Sequence, residues 1–240
     1  MSDEVAGVDG CPAGWVVAFL SAGGECRIAV VERFAEVFVG EPPAVTAVDM
    51  PIGLPERIGP AGRGPEAAVR PLLGGRQSSV FSVPSRAAVY ADDFRAGCRA
   101  ALATSEPPRM MSKQLFHIAP KIREVDVFLR AAPELSRRVF EVHPEVAFWR
   151  LNGERALTEP KKIKGRPHDP GLSQRCDLLV AAGIPPEVID RGPPSGAAMD
   201  DLLDALACAL TARRIRVGEA RPFPDPPLRD AHGLAMAIWA

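Results

Sequence analysis

The stretch Asp200-Asp201-Leu202-Leu203-Asp204-Ala205-Leu206-Ala207-Cys208-Ala209-Leu210 constrains this chain most. It reads as a helix that opens with acids and then turns apolar on nearly every side. Asp200 or Asp201 suits the N-cap, where a short carboxylate accepts the orphan N–H groups of the first turn. Asp201, Asp204, Ala205 and Cys208 share one face by the i, i+3, i+4 rule, while Leu202, Leu203, Leu206 and Leu210 cover the rest. A helix so apolar is buried, and a carboxylate on a buried stripe is costly unless something pairs it. Capping and dipole complementation account for Asp200 and Asp201. They account less well for Asp204, so the remaining chain has to supply its partner.

Two other segments deliver acids in a common local form. Val5-Ala6-Gly7-Val8-Asp9-Gly10 is an apolar run ending in an acid and a glycine, followed by turn chemistry at Cys11-Pro12-Ala13-Gly14. Trp15 to Leu20 and Arg27 to Val31 are predicted as the next two strands, and their tight Gly/Pro turns predict an antiparallel meander. Ala44-Val45-Thr46-Ala47-Val48-Asp49 repeats the pattern, and Pro51 forbids further ladder bonding. Asp9 and Asp49 are thus expected at the C-terminal ends of two strands, the edge at which open α/β sheets bind ligands. For Asp9 the plain alternative is an Asx-turn at Gly10.

The remaining chain supplies weaker signals. Residues 57–108 form an irregular insertion or loop subdomain rich in Arg, Gly and Ser, including Arg63, Arg70, Arg76, Gln77, Ser78, Ser79, Phe81 and Arg86. Such a composition suits phosphate contacts or a solvated loop. A helix across Tyr90 to Thr104 closes it. Ser112 to Leu129 is expected as a helix that Pro120 kinks or divides; Glu124 and Asp126 lie on its polar side. Arg138 to Glu145 is read as a strand with Glu141, His143 and Glu145 alternating onto one face, His143 being either a ligand, a base or a hydrogen-bonded structural residue. Lys161-Lys162-Ile163-Lys164-Gly165-Arg166 is the densest positive patch, able to neutralise phosphates. The tail is read as a Pro-rich link, Pro222 to Pro227, and a last apolar run, Leu234 to Trp239, that is either a covered strand or a dimer edge.

Bulk properties bound the partners. With 240 residues and 47% hydrophobic content the chain can bury one substantial core, and it is read as a single domain over 1–240. A net charge of -1 leaves no global electrostatic footprint for nucleic acid or a membrane surface. Five cysteines without paired spacing match neither a disulfide framework nor a zinc motif, and point to a cytoplasmic setting. No secretory signal pattern or membrane-length apolar run is present in the sequence.

Taken together, Gly7-Val8-Asp9-Gly10-Cys11 with Gly14-Trp15, Val48-Asp49-Met50-Pro51-Ile52-Gly53-Leu54, Gly75-Arg76-Gln77-Ser78-Ser79-Val80-Phe81 with Pro84 and Arg86, Lys121 to Asp126, Glu141-Val142-His143-Pro144-Glu145, and Asp200-Asp201 through Asp204-Ala205 resemble the predicted RNase H-like nucleases of domain of unknown function family 429. The resemblance implies an α/β, RNase H-like fold: a five-stranded mixed sheet flanked by helices, its first three strands antiparallel and its first and fourth strands adjacent. It implies a metal-dependent nuclease or phosphodiesterase using Mg²⁺ or Mn²⁺ on nucleic acid. Asp9 would bridge two ions, Asp49 and Asp204 would hold one each, and Asp201 would assist, with Glu141 as a further catalytic acid. Two such ions about 3.5–4 Å apart activate water and stabilise a leaving oxygen. Arg76, Ser78, Ser79, Arg86, Lys121, His143, Lys161 and Lys162 would contact substrate. Three other readings stay open. They are a hydrolase of a small nucleotide or phosphorylated substrate, a non-catalytic nucleic-acid-binding module, and an actin-like phosphotransferase, which would require a glycine-rich phosphate loop that the chain lacks.

Overall fold

Three apolar runs near the start of the chain form the meander that their turns dictate. The computed structural model describes residues 3–240. Its strands are β1 (Val5–Cys11), β2 (Gly14–Leu20), β3 (Cys26–Val31), β4 (Val45–Val48), β5 (Val139–Glu141), β6 (Lys162–Ile163), β7 (Arg166–Pro167), β8 (Pro222–Arg229) and β9 (Ala235–Trp239). Its α-helices are α1 (Pro65–Val69), α2 (Arg86–Val89), α3 (Phe94–Thr104), α4 (Lys113–Ala131), α5 (Pro133–Ser136), α6 (Pro144–Leu151), α7 (Asp169–Ala181), α8 (Pro186–Asp190) and α9 (Met199–Arg216).

The main sheet runs β3-β2-β1-β4-β5-β9-β8. β1, β2 and β3 are antiparallel neighbours, whereas β1, β4, β5 and β9 run parallel. Seven strands replace the five expected. The difference lies in the tail: the Pro-rich stretch is not a link but part of β8, an edge strand, where a missing N–H interrupts no inner ladder. The apolar run after it is therefore an inner strand, β9, with β5 on one side and β8 on the other.

Strand periodicity explains how the acids reach one face. Val5 of β1 and Val45 and Ala47 of β4 pack in the core that contains Leu202, Leu203, Ala205, Leu206 and Ala209 of α9. Ala6, Val8 and Val48 face the opposite core, with Leu115, Ala119, Ile122 and Leu129 of α4. With side chains alternating, Asp9 and Asp49 fall on the α9 side. Gly7 lets α9 lie directly on β1: a Cβ there would collide with the Ala205 carbonyl and the Ala209 amide nitrogen. Asp204 thus enters just above the strand that carries Asp9.

Several boundaries depart from expectation for identifiable reasons. Helix α4 is continuous through Pro120, which lies on its exposed face. The Arg138–Glu145 strand stops at Glu141, because Pro144 opens α6 and His143 takes its N-cap. The 57–108 segment is helical over much of its length, including a 3-10 stretch at Arg70–Ser79, and α3 begins at Phe94 behind an Asp93 cap. Its two ends are laced together where Ile58 pairs with the Thr104–Glu106 backbone. Helix α9 is capped at Ala198 rather than at either acid. Among the described residues no helix is long and apolar enough to cross a membrane.

Candidate metal centre

The parallel ladder between β1 and β4 pairs Val5 with Val45 through Val8 with Val48, so the next residues on both strands are Asp9 and Asp49. The Asp49 amide donates to the Val8 carbonyl at 2.9 Å, fixing that register to its last rung. Asp9 lies inside β1 rather than at its end, and its Oδ1 accepts from the Gly10 amide at 2.8 Å. Asp204 descends from α9, and one carboxylate oxygen from each of Asp9, Asp49 and Asp204 lies within 4.8 Å of the others. Among the described residues this is the cluster with the reach of a metal site.

The electrostatics follow from crowding acids in a dry place. Burial, reinforced by Asp49 and Asp204, raises the Asp9 pKa well above the carboxylate range. Burial, then the charge of Asp204, pushes Asp49 up to about 8. Burial raises Asp204 to about 6 while Lys161 pulls it down. The Lys161 ammonium donates to Asp204 Oδ2, and Lys162 pairs with Asp200 Oδ2 at 2.6 Å. The basic patch, folded as the β6–β7 hairpin, thus turns two lysines onto α9. One ammonium does not balance three carboxylates, and Asp204 Oδ1 is buried without a partner. An all-oxygen, buried donor set with an orphaned oxygen fits a hard divalent cation.

The other residues named from sequence divide sharply. Asp201 stands outside the triad; its Oδ2 accepts from the Ala198 amide at 2.9 Å and closes the helix start. Glu141 is enclosed by a buried network: both its oxygens take Arg63, which also holds Glu66, and Oε2 accepts from the Ile52 amide at 2.9 Å. Burial raises Glu141 to about 7 against the pull of Arg63. Arg86 is spent on Asp126 (2.6 Å) and Asp230 (2.9 Å), away from the triad. Glu124 takes the Trp15 indole N–H at 3.1 Å. Lys121 donates to the Gly14 carbonyl and sits 4.4 Å from the Trp15 ring centroid. His143 is kept neutral by burial, accepts from the Glu145 amide at Nδ1 (3.2 Å), and turns Nε2 toward the Ser79 carbonyl (3.4 Å). Ser79 Oγ donates to the Arg76 carbonyl at 2.8 Å.

A cavity of about 350 Å³ opens beside the triad, and its lining includes Asp9, Asp49, Ser79, Lys121, His143 and Lys161. Arg76, Ser78, Arg86 and Lys162 are not part of its wall. Glu66 and His117, which the sequence reading did not name, and Phe81 and Glu145, which it named without a site role, are. The i, i+3 spacing of Arg63 and Glu66 signals their pairing, and Pro144-Glu145 signals an acid in a first helical turn. Neither pattern reveals a cavity, because the surfaces that enclose it are far apart in sequence.

The fold and site define an α/β protein with a mixed sheet and a carboxylate triad where two parallel strands meet a buried helix. Residues 7–229 match the family model described as protein of unknown function (DUF429), and the chain belongs to that family. No curated protein and no solved structure matches it.

Proposed function

We propose that this protein is a metal-dependent phosphodiesterase, an RNase H-like nuclease that uses Mg²⁺ or Mn²⁺. The observation that carries this reading is the convergence of Asp9, Asp49 and Asp204 within 4.8 Å, with a buried Asp204 oxygen left for a cation. The strand order β3-β2-β1-β4-β5, with β2 antiparallel, supports it as the core of that fold, extended by β9 and β8. Asp9 would serve both ions, and Asp49 and Asp204 would hold one each. Asp201 assists by fixing the helix turn that presents Asp204. When bound, such a pair supplies a nucleophilic hydroxide at neutral pH and charge stabilisation for the leaving oxygen.

The protein's own residues do the rest. Glu141, through Arg63 and the Ile52 amide, holds the turn that follows Asp49. His143 lies in the cavity wall with Nδ1 held by the Glu145 amide and Nε2 by the Ser79 carbonyl, so it shapes the wall beside the acids. Five free cysteines fit a cytoplasmic, reducing compartment. Incubation of the purified protein with end-labelled RNA, DNA and hybrid oligonucleotides and Mn²⁺ tests the reading. Cleavage is expected for wild type and not for Asp9→Asn; equal cleavage by both would end it.

A specific observation favours a second reading, hydrolysis of a small nucleotide. The cavity has the volume of a single small-molecule site, and Val80, Phe81, Val83 and Ile118 give it an apolar wall. Its two lysines are already committed to Asp204 and to Gly14, and among the described residues no other lysine or arginine lines it. Turnover of mononucleotide esters in preference to oligonucleotides would favour this substrate class.

A further inference from the structure

Glu145 has a buried carboxylate whose second oxygen nothing in the fold explains. It lies in the first turn of α6 and is 7% exposed. Its Oε1 accepts from Arg175 Nη2 at 2.5 Å. Arg175 is fully buried, and its Nη1 is held by the carbonyls of Gly171 at 2.8 Å and Glu159 at 3.1 Å. The guanidinium therefore meets Glu145 through one nitrogen rather than as a two-pronged fork, which is the usual stable arrangement for such a pair. Oε2 is left buried with no partner. A buried acceptor in that state is costly, and more so when charged. Folding alone gives no return for it.

The position of that oxygen supplies the reason. Glu145 lines the same cavity as Asp9 and Asp49, and its charge weighs on both Asp49 and Asp204. Asp204 Oδ1 is likewise buried and unpartnered. Glu66 Oε2 shares that condition, but Glu66 is tied to Arg63 and weighs on Glu141 and His143 instead. We propose that Glu145 Oε2, together with Asp204 Oδ1, binds one of the divalent cations of the site, and that Arg175 is the positioning residue that aims it. This rests on the metal-dependent reading above and adds a ligand from α6 to the acids of β1, β4 and α9.

Titration of the metal-free protein with Mn²⁺ by calorimetry, with the free ion followed by electron paramagnetic resonance, tests the assignment without any substrate. Wild type is expected to take two ions and Glu145→Gln one. Glu145→Asp keeps the charge that Arg175 needs but withdraws the oxygen by one methylene, and should bind the second ion at least tenfold more weakly. It decides the matter if Glu145→Gln does not fold. Arg175→Lys keeps the charge and loses the bracket; it should weaken the second ion while leaving the first unchanged, and equal weakening of both would remove its positioning role. Two ions of unchanged affinity in a folded Glu145 variant overturn the proposal. One ion in wild type overturns it while leaving a metal site intact, and none in wild type overturns the metal-dependent reading as well.

Discussion

Two groups of buried acids in this molecule have opposite electrostatic characters. Around Arg86, Asp126 receives two guanidinium bonds, the Tyr90 hydroxyl at 2.6 Å and Arg130 at 3.4 Å. Asp230 receives Arg86 and the amides of Leu54, His232 and Leu234. Burial pulls the Asp126 pKa up, but Arg86 and Tyr90 outweigh it and leave the carboxyl below its ordinary value. Where β1 and β4 lie side by side under α9, Asp9, Asp49 and Asp204 share one ammonium, and their pKa values rise. In the first cluster every carboxylate oxygen has a donor, and only Arg86 Nε lacks a hydrogen bond, lying 3.5 Å from Glu56; it ties the 57–108 segment to α4 and the β8–β9 turn. The second leaves Asp204 Oδ1 unpaired and sets three acids against one ammonium, and bare carboxylate oxygens mark a candidate site better than acidity does.

Substitution should separate the two most widely in function. Asp9→Asn is expected to abolish Mn²⁺ binding and reduce any metal-dependent hydrolysis by about 10³-fold or more, a loss of several kcal/mol of transition-state stabilisation. The same change relieves repulsion in the metal-free protein, so its thermal midpoint should hold or rise. Asp126→Asn should do the reverse. Leaving Arg86 with a missing partner costs about 3–5 kcal/mol by analogy with other broken buried pairs, visible as a lower urea midpoint, while Mn²⁺ affinity is unchanged. A fall in stability for both variants, with metal binding intact in both, would erase the distinction.

A pH series sharpens the contrast. Asp49 titrates at about 8 and Asp204 at about 6 in the folded chain, against about 3.9 for an unfolded aspartate. The native state therefore keeps protons that the unfolded chain releases. This contribution to stability is fully present below about pH 4 and is lost as pH rises toward 8. For Asp126 the shift is downward, so its contribution is present above about pH 4 and lost on acidification. Urea midpoints of metal-free wild type and Asp49→Asn at pH 5 and pH 8.5 isolate the first slope, which should flatten in the variant. Mn²⁺ binding must displace the retained protons, so affinity should tighten from pH 6 to pH 8. An affinity independent of pH would mean that the carboxylates are already ionised.

The sequence disclosed the alternating runs that carry Asp9 and Asp49, and the buried helix that carries Asp204, because strand and helix periods are local properties. It could not show the partners of Arg86 and Glu141 for the same reason. An arginine in a Gly/Ser-rich segment looks free until its partners arrive from 40 and 144 residues away. Glu141 looks available until Arg63, 78 residues earlier, closes on it. The tail was misread because prolines in β8 argue against a strand unless the strand is known to lie at an edge, and edge position is a property of the whole sheet. Pro144 and Pro120 show the same limit: one does open a helix, and the other, on a solvent-facing surface, does not break one.

The smallest expected effect concerns Lys161, the one cation that the triad owns. Its ammonium is held on Asp204 Oδ2 and its pKa is raised by the acids it faces, despite burial. It follows Pro160 and leads into β6, whose hairpin turns through Lys164 and Gly165 at φ 50° and 76°. A single positive charge on an exposed hairpin relieves the acids without satisfying them, since Asp204 Oδ1 remains bare. A divalent ion would compete for the same carboxylate. Lys161→Met removes the competitor while keeping a stem of similar length, so Mn²⁺ should bind about threefold to tenfold more tightly, the magnitude of one partly screened charge contact. The metal-free variant should also hold its protons to higher pH, because nothing then offsets the mutual repulsion. Unchanged or weaker binding would mean that Lys161 helps to assemble the acids rather than occupying the place of a cation. The triad would then resemble the Arg86 cluster more closely than its unpaired oxygen indicates.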